Sequence, residues 1–190
     1  MDRFFRALLI ACTVGFSWLA MQVVHEGGHV LHARLSGGEV ARIVVHPLTI
    51  SRTDLSVNPR PQFVAWGGPL WGSLIPVGFW SIIRRAAPRY AYLTAWFAGF
   101  CLVANGGYLV GGAFLAGGED DGGTILRHGG ARWQLLTFGV PAVAAGLWVW
   151  NGLGPSFGFG SASGKVDRRA AIGVATALVA LVIAECLLTG

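Results

Sequence analysis

The chain has 190 residues, of which 54% are hydrophobic and only 12% charged, with a mean hydropathy of +0.59 and a formal net charge of +5. A soluble domain carries roughly 25% charged residues, so this composition excludes an ordinary water-soluble globule. The fourteen Lys and Arg are scattered through connecting stretches with no aromatic-interleaved basic run, which argues against nucleic acid as a partner; a membrane protein uses such charges for orientation.

Five runs without a single Asp, Glu, Lys or Arg follow in chain order: residues 7–24, 63–83, 90–118, 133–153 and 170–184. A helix needs roughly 20 apolar residues to cross the hydrocarbon layer, and inside lipid the backbone must satisfy its own hydrogen bonds. The expected fold is therefore an all-α polytopic membrane protein with about five transmembrane helices. One membrane-embedded domain, 1–190, accounts for the length, with a core at 4–123 and additional helices at 133–153 and 170–188. The first run follows Arg3 and Arg6 in the manner of a secretory signal. Trp18, however, stands where a small residue would precede cleavage after Ala20, so a retained helix is expected. Cys12, Cys101 and Cys186 show no metal or redox spacing and read as small packing residues.

The first run ends in "VVHEGGHVLHAR", residues 23–34. His25 and His29 are four residues apart, so on a helix their rings share one face and can grip one metal ion. Glu26, beside the first ligand, is placed to take a proton from water at that metal. His-Glu-x-x-His on a helix is the zincin arrangement, with Zn²⁺ as Lewis acid and Glu as general base. Ionisable groups in a membrane helix are costly and functional by default, which sharpens the motif. Gly27 and Gly28 between the ligands each cost a helix about 1 kcal/mol against alanine. Close packing of another helix, or close approach of a substrate backbone, would explain them.

The next stretch, "GGEVARIVVHPLTI", mixes β-branched residues with turn formers and predicts a short strand or hairpin. A strand there, around Val44, could pair with an extended substrate by β-augmentation. The third run ends in Glu119, Asp120 and Asp121. Helices one and three run in the same direction, so these acids reach the same side of the membrane as His25 and His29. A catalytic zinc takes three protein ligands and leaves one position open; Asp121, followed by Gly122, is the first choice for the third and Asp120 the alternative. Glu119 is assigned to the wet rim. His32 is a neighbour or a second-shell group, while His46 and His128 read as loop histidines. The stretch 154–167, rich in Gly and Ser, reads as a mobile connection. Eight basic residues fall at one end and six at the other, too even a division to fix orientation.

Residues 25–34, His-Glu-Gly-Gly-His-Val-Leu-His-Ala-Arg, resemble the His-Glu-x-Gly-His-x-x-x-Ala-Arg signature of the site-2 protease family of intramembrane zinc metalloproteases. Gly28, Ala33 and Arg34 match beyond the zinc motif. "SGGEVARIVVHP" is similar to the family's strand-forming segment, and "WGGPLWGSLIPV" to its Gly-Pro-x-x-Asn motif through Gly68 and Pro69, with Ser73 near the Asn position. The family's third core helix carries Asn-x-x-Pro and then an Asp-Gly whose Asp is the third zinc ligand. Asn105 and Asp121-Gly122 stand for these here, separated by a longer gap and without the Pro.

The resemblance implies a compact member without a PDZ domain, hydrolysing a peptide bond in or near a transmembrane segment of a membrane-protein or peptide substrate, in a bacterial inner membrane. Gly28, Asn105 and Val44 are the residues expected to meet substrate. Two rivals stand beside this reading. One is a non-catalytic membrane protein keeping the metal site for structure or partner binding, against which Glu26 argues, because a structural site needs no base. The other is a transporter, which would want ionisable groups on several helices. Only Glu185 offers another acid in an apolar stretch, and its place near the end of the last helix assigns it to the interface.

Overall fold

The structure, a computed structural model, describes residues 2–115, 118, 120–160 and 165–189. The first apolar run and its polar end form one helix, α1 (Asp2–Leu35). At 1.5 Å per residue its 34 residues span about 50 Å, well beyond a hydrocarbon layer of about 30 Å. An antiparallel hairpin follows, β1 (Glu39–Val44) paired with β2 (Arg52–Val57), with Val44 opposite Arg52 and two register irregularities near Val40. Then come α2 (Pro61–Ala86), α3 (Ala91–Phe114), a short α4 (Asp121–Arg127), α5 (Arg132–Trp150) and α6 (Arg168–Thr189).

Among the described residues four helices are long and apolar enough to cross a membrane: α1, the stretch Pro88–Phe114 that contains α3, α5 and α6. The second apolar run, the one remaining, forms α2, whose 26 residues suffice in length but carry two internal prolines, Pro69 and Pro76, and a Gly67-Gly68 pair. The outward faces confirm the solvent. Ile172, Val179 and Ile183 of α6 and Trp148 of α5 are each more than half exposed, an apolar surface that water would not tolerate at this extent. At the end remote from the histidines, Arg6, Arg84, Arg89 and Arg168 lie over the rings of Phe159, Trp80, Tyr90 and Phe5. Paired cations and aromatic rings anchor helix ends at the lipid–water boundary.

Helix packing relies on missing side chains, as it does where lipid gives no hydrophobic drive between helices. Antiparallel α3 and α5 meet at Gly106 and Gly139, where a Cβ on either would come within 2.7 Å of the other's carbonyl oxygen. About three turns further along, Trp150 donates to the Trp96 carbonyl at 2.9 Å. α1 and α2 close up in the same way, since a Cβ on Gly28 would run into the Gly67 backbone. Gly28 therefore serves helix contact, the first of the two explanations for it. Gly27 faces open space.

α4 is the element the sequence did not announce. Asp120 caps it by accepting from the Gly123 amide at 2.6 Å, and the helix wedges between α2 and α3. Glu119 and Ser161 to Gly164 of the Gly/Ser-rich stretch lie outside the described residues. Glu185 is buried, with 2% of its surface exposed.

Candidate metal centre

α1, α3 and α4 each deliver one part of a cluster. His25 and His29 project from one face of α1, and Asp121 starts α4 on the same side of the molecule. The Nε2 atoms of the histidines are 3.1 Å apart. Asp121 sets Oδ2 3.1 Å from His25 Nε2 and Oδ1 3.3 Å from His29 Nε2. One ligand atom from each residue lies within 4.8 Å of the other two.

The hydrogen bonds behind the rings decide what the facing atoms are. Asn105 Nδ2 donates to the Cys101 carbonyl at 2.9 Å, which fixes the amide and turns its Oδ1 toward His25. His25 Nδ1 lies 2.6 Å from that oxygen and must therefore carry the proton. His29 Nδ1 likewise donates to the Val64 carbonyl at 2.9 Å. Both neutral rings thus present bare Nε2 lone pairs to each other and to a carboxylate. Three electron-rich groups converge with no donor among them, an arrangement that calls for a cation at their centre. Space for the ion is kept by Gly68, where a Cβ would strike the Nε2 atoms of both rings. Two imidazoles and one carboxylate are a donor set that suits Zn²⁺ with an open position.

Glu26 is buried, and its Oε2 accepts from the Thr53 hydroxyl of β2 at 2.7 Å. A second tie, from the Ser51 amide to Gln22 Oε1 at 3.2 Å, fastens the hairpin to α1 one turn earlier. Together His25, Glu26, His29 and Asp121 line one cavity of about 1450 Å³, whose wall also includes residues 47–55, Asn105 and Tyr108.

Not every expected residue meets this cavity as anticipated. Asp120 is engaged as the cap of α4. Asn105 is 2% exposed and spends its amide on His25 and Cys101, so it steadies the His25 ring from the cavity wall. Val44 is buried in β1 away from the cavity, because the chain folds back and lays β2 over the site. His32 clamps α1 to α2: its Nδ1 donates to the Phe63 carbonyl at 2.6 Å, and its Nε2 accepts from Trp71 at 3.0 Å. His46 bonds within its own loop, and His128 Nδ1 donates to the Thr124 carbonyl of α4. Sequence reasoning missed Thr53 and Tyr108, which carry no motif. It quoted Gly68 without its reason, the clearance of the imidazoles.

The Peptidase M50B-like family matches residues 7–115, more than half of the chain. The chain belongs to that family. With four helices able to span a bilayer, it is an integral membrane protein. Comparisons with curated proteins and with solved structures find no match. The matched span holds His25, Glu26, His29, Gly68 and Asn105 and stops short of Asp121, whose place at the cluster rests on the fold alone.

One consequence concerns Asn105. Replacing it by Leu keeps the buried volume and removes the acceptor that fixes His25. Losing a partner that orients a metal-binding imidazole costs roughly 10–100-fold in metal affinity. Competition of the purified variant against a chromophoric zinc chelator is expected to show that weakening, and unchanged affinity would mean that His25 needs no such support.

Proposed function

We propose that this protein is an intramembrane zinc metalloprotease that hydrolyses a peptide bond in or near a transmembrane segment of a membrane-protein substrate. The observation that carries the reading is the convergence of His25, His29 and Asp121 in the cavity that Glu26 lines. Family membership supports the protease half of it.

When bound, the zinc supplies Lewis-acid chemistry, activating water and polarising the scissile carbonyl. The protein's own residues do the rest. Asn105 and the Val64 carbonyl hold the two imidazoles in the ligating tautomer. Glu26 takes the proton from the attacking water and returns it to the leaving amine. The Thr53 hydroxyl holds one carboxylate oxygen of Glu26, leaving the other free for that proton. A helical substrate hides its carbonyls and must unwind to react. The strand that borders the cavity is β2, paired with β1 on one side only, so an extended substrate segment would add to β2 by main-chain pairing.

The test is metal removal. Protein in detergent, given a quenched-fluorescent single-span peptide, is expected to lose cleavage with 1,10-phenanthroline and to regain it with stoichiometric Zn²⁺. Cleavage indifferent to the chelator would remove the metalloprotease reading.

A further inference from the structure

Several side-chain donors around the cavity are committed. Asn105 gives its amide to the Cys101 carbonyl, Thr53 gives its hydroxyl to Glu26, Gln22 gives its amide to the Trp18 carbonyl, and Arg52 holds Asp54. Tyr108 is different. It stands one turn beyond Asn105 on the same face of α3, is 44% exposed, and lines the cavity beside the ligands. Its ring meets that of His25 edge-on, with centroids 6.0 Å apart. The phenol lies near Asp121, and its O–H is able to donate. No hydrogen bond among the described residues uses that O–H.

We propose that Tyr108 is a catalytic residue, the hydrogen-bond donor that stabilises the oxyanion formed when the scissile carbonyl is attacked. This inference rests on the peptide hydrolysis proposed above. As the water oxygen bonds to the carbonyl carbon, the C=O π pair moves onto the carbonyl oxygen, and the Tyr108 O–H meets the charge without giving up its proton. When the C–N bond breaks, that pair returns to re-form the C=O bond, and the amine leaves with the proton that Glu26 had taken. Held by α3 and by the edge contact with His25, the donor is already in place before charge develops, the condition under which such groups contribute most.

A merely structural role is the alternative, in which Tyr108 props α4 and so keeps Asp121 at the cluster. Tyr108→Phe separates the two, since it removes one oxygen and keeps the ring against His25. Loss of one oxyanion donor costs about 10²–10³-fold in kcat. With the quenched-fluorescent single-span peptide, kcat is expected to fall by about 10²-fold while KM stays within a factor of two. Bound zinc, counted by plasma mass spectrometry, is expected to stay at the wild-type level. Affinity for N-phosphoryl-leucinamide, a tetrahedral oxyanion probe, should fall with kcat. Unchanged kcat overturns the proposal, and so does a loss of zinc that accounts for the loss of cleavage. Chelator-sensitive wild-type cleavage alongside an unimpaired variant sinks Tyr108 alone. Wild-type protein that neither cleaves nor binds the probe sinks the hydrolase reading and this inference with it.

Discussion

Glu26→Gln is expected to abolish cleavage and leave the metal in place. The carboxylate is buried, and one oxygen is already held by Thr53 at 2.7 Å. A glutamine of the same shape keeps that hydrogen bond through its own carbonyl oxygen, so neither the hairpin nor α1 has cause to move. What disappears is the group that accepts a proton. Positioned acid–base residues contribute about 10²–10⁴-fold, and here one residue serves both proton transfers, so a loss toward the upper end of that range is expected. The measurement pairs the peptide assay with metal analysis on the same preparation. Full cleavage by the variant would move the base elsewhere. Loss of metal together with cleavage would make Glu26 a ligand. A non-catalytic protein of this fold would show the same metal content and behaviour before and after the change.

The helices and the two histidines were legible because each is a local signal. An uncharged run long enough to span lipid needs no tertiary information, and His25 and His29 share a face by helical period alone. The acid that completes the cluster was legible to within one residue. Chain direction brought the acids to the right end, but choosing Asp121 over Asp120 depends on where α4 begins, and a seven-residue helix leaves no periodic trace. Asn105 was singled out without its His25 partner, because only the approach of α3 to α1 reveals that its oxygen faces that ring. The hairpin was anticipated, yet the strand over the cavity is β2, since the chain turns back between Val44 and Arg52 and presents its second arm. Thr53 and Tyr108 were beyond reach, their roles being created by long-range contacts with Glu26 and Asp121. Gly68 follows the same logic from the opposite direction, for its contribution is an atom it lacks.

The assignment of Asp121 carries the second large effect. Its carboxylate faces both imidazoles, whereas Asp120 turns to the amide of Gly123. Structural zinc sites bind with about 10–16 kcal/mol shared among their ligands, so one ligand of three or four is worth roughly 3 kcal/mol, about two orders of magnitude in affinity. Asp121→Ala is therefore expected to purify with little bound metal and to need at least about 10²-fold more free zinc for half-occupancy. Asp120→Ala is a weaker control than it looks, because losing the cap costs α4 about 1 kcal/mol and α4 carries Asp121. Asp120→Asn is the cleaner one, since Asn still accepts from Gly123 but offers no charge. It is expected to hold zinc as the wild type does. If the Asn variant loses metal as severely as Asp121→Ala, both acids reach the ion and the cap geometry of Asp120 does not persist in the loaded protein. If Asp121→Ala keeps its metal, the cluster is not the metal centre, and the reading of Glu26 as the base beside it fails with it.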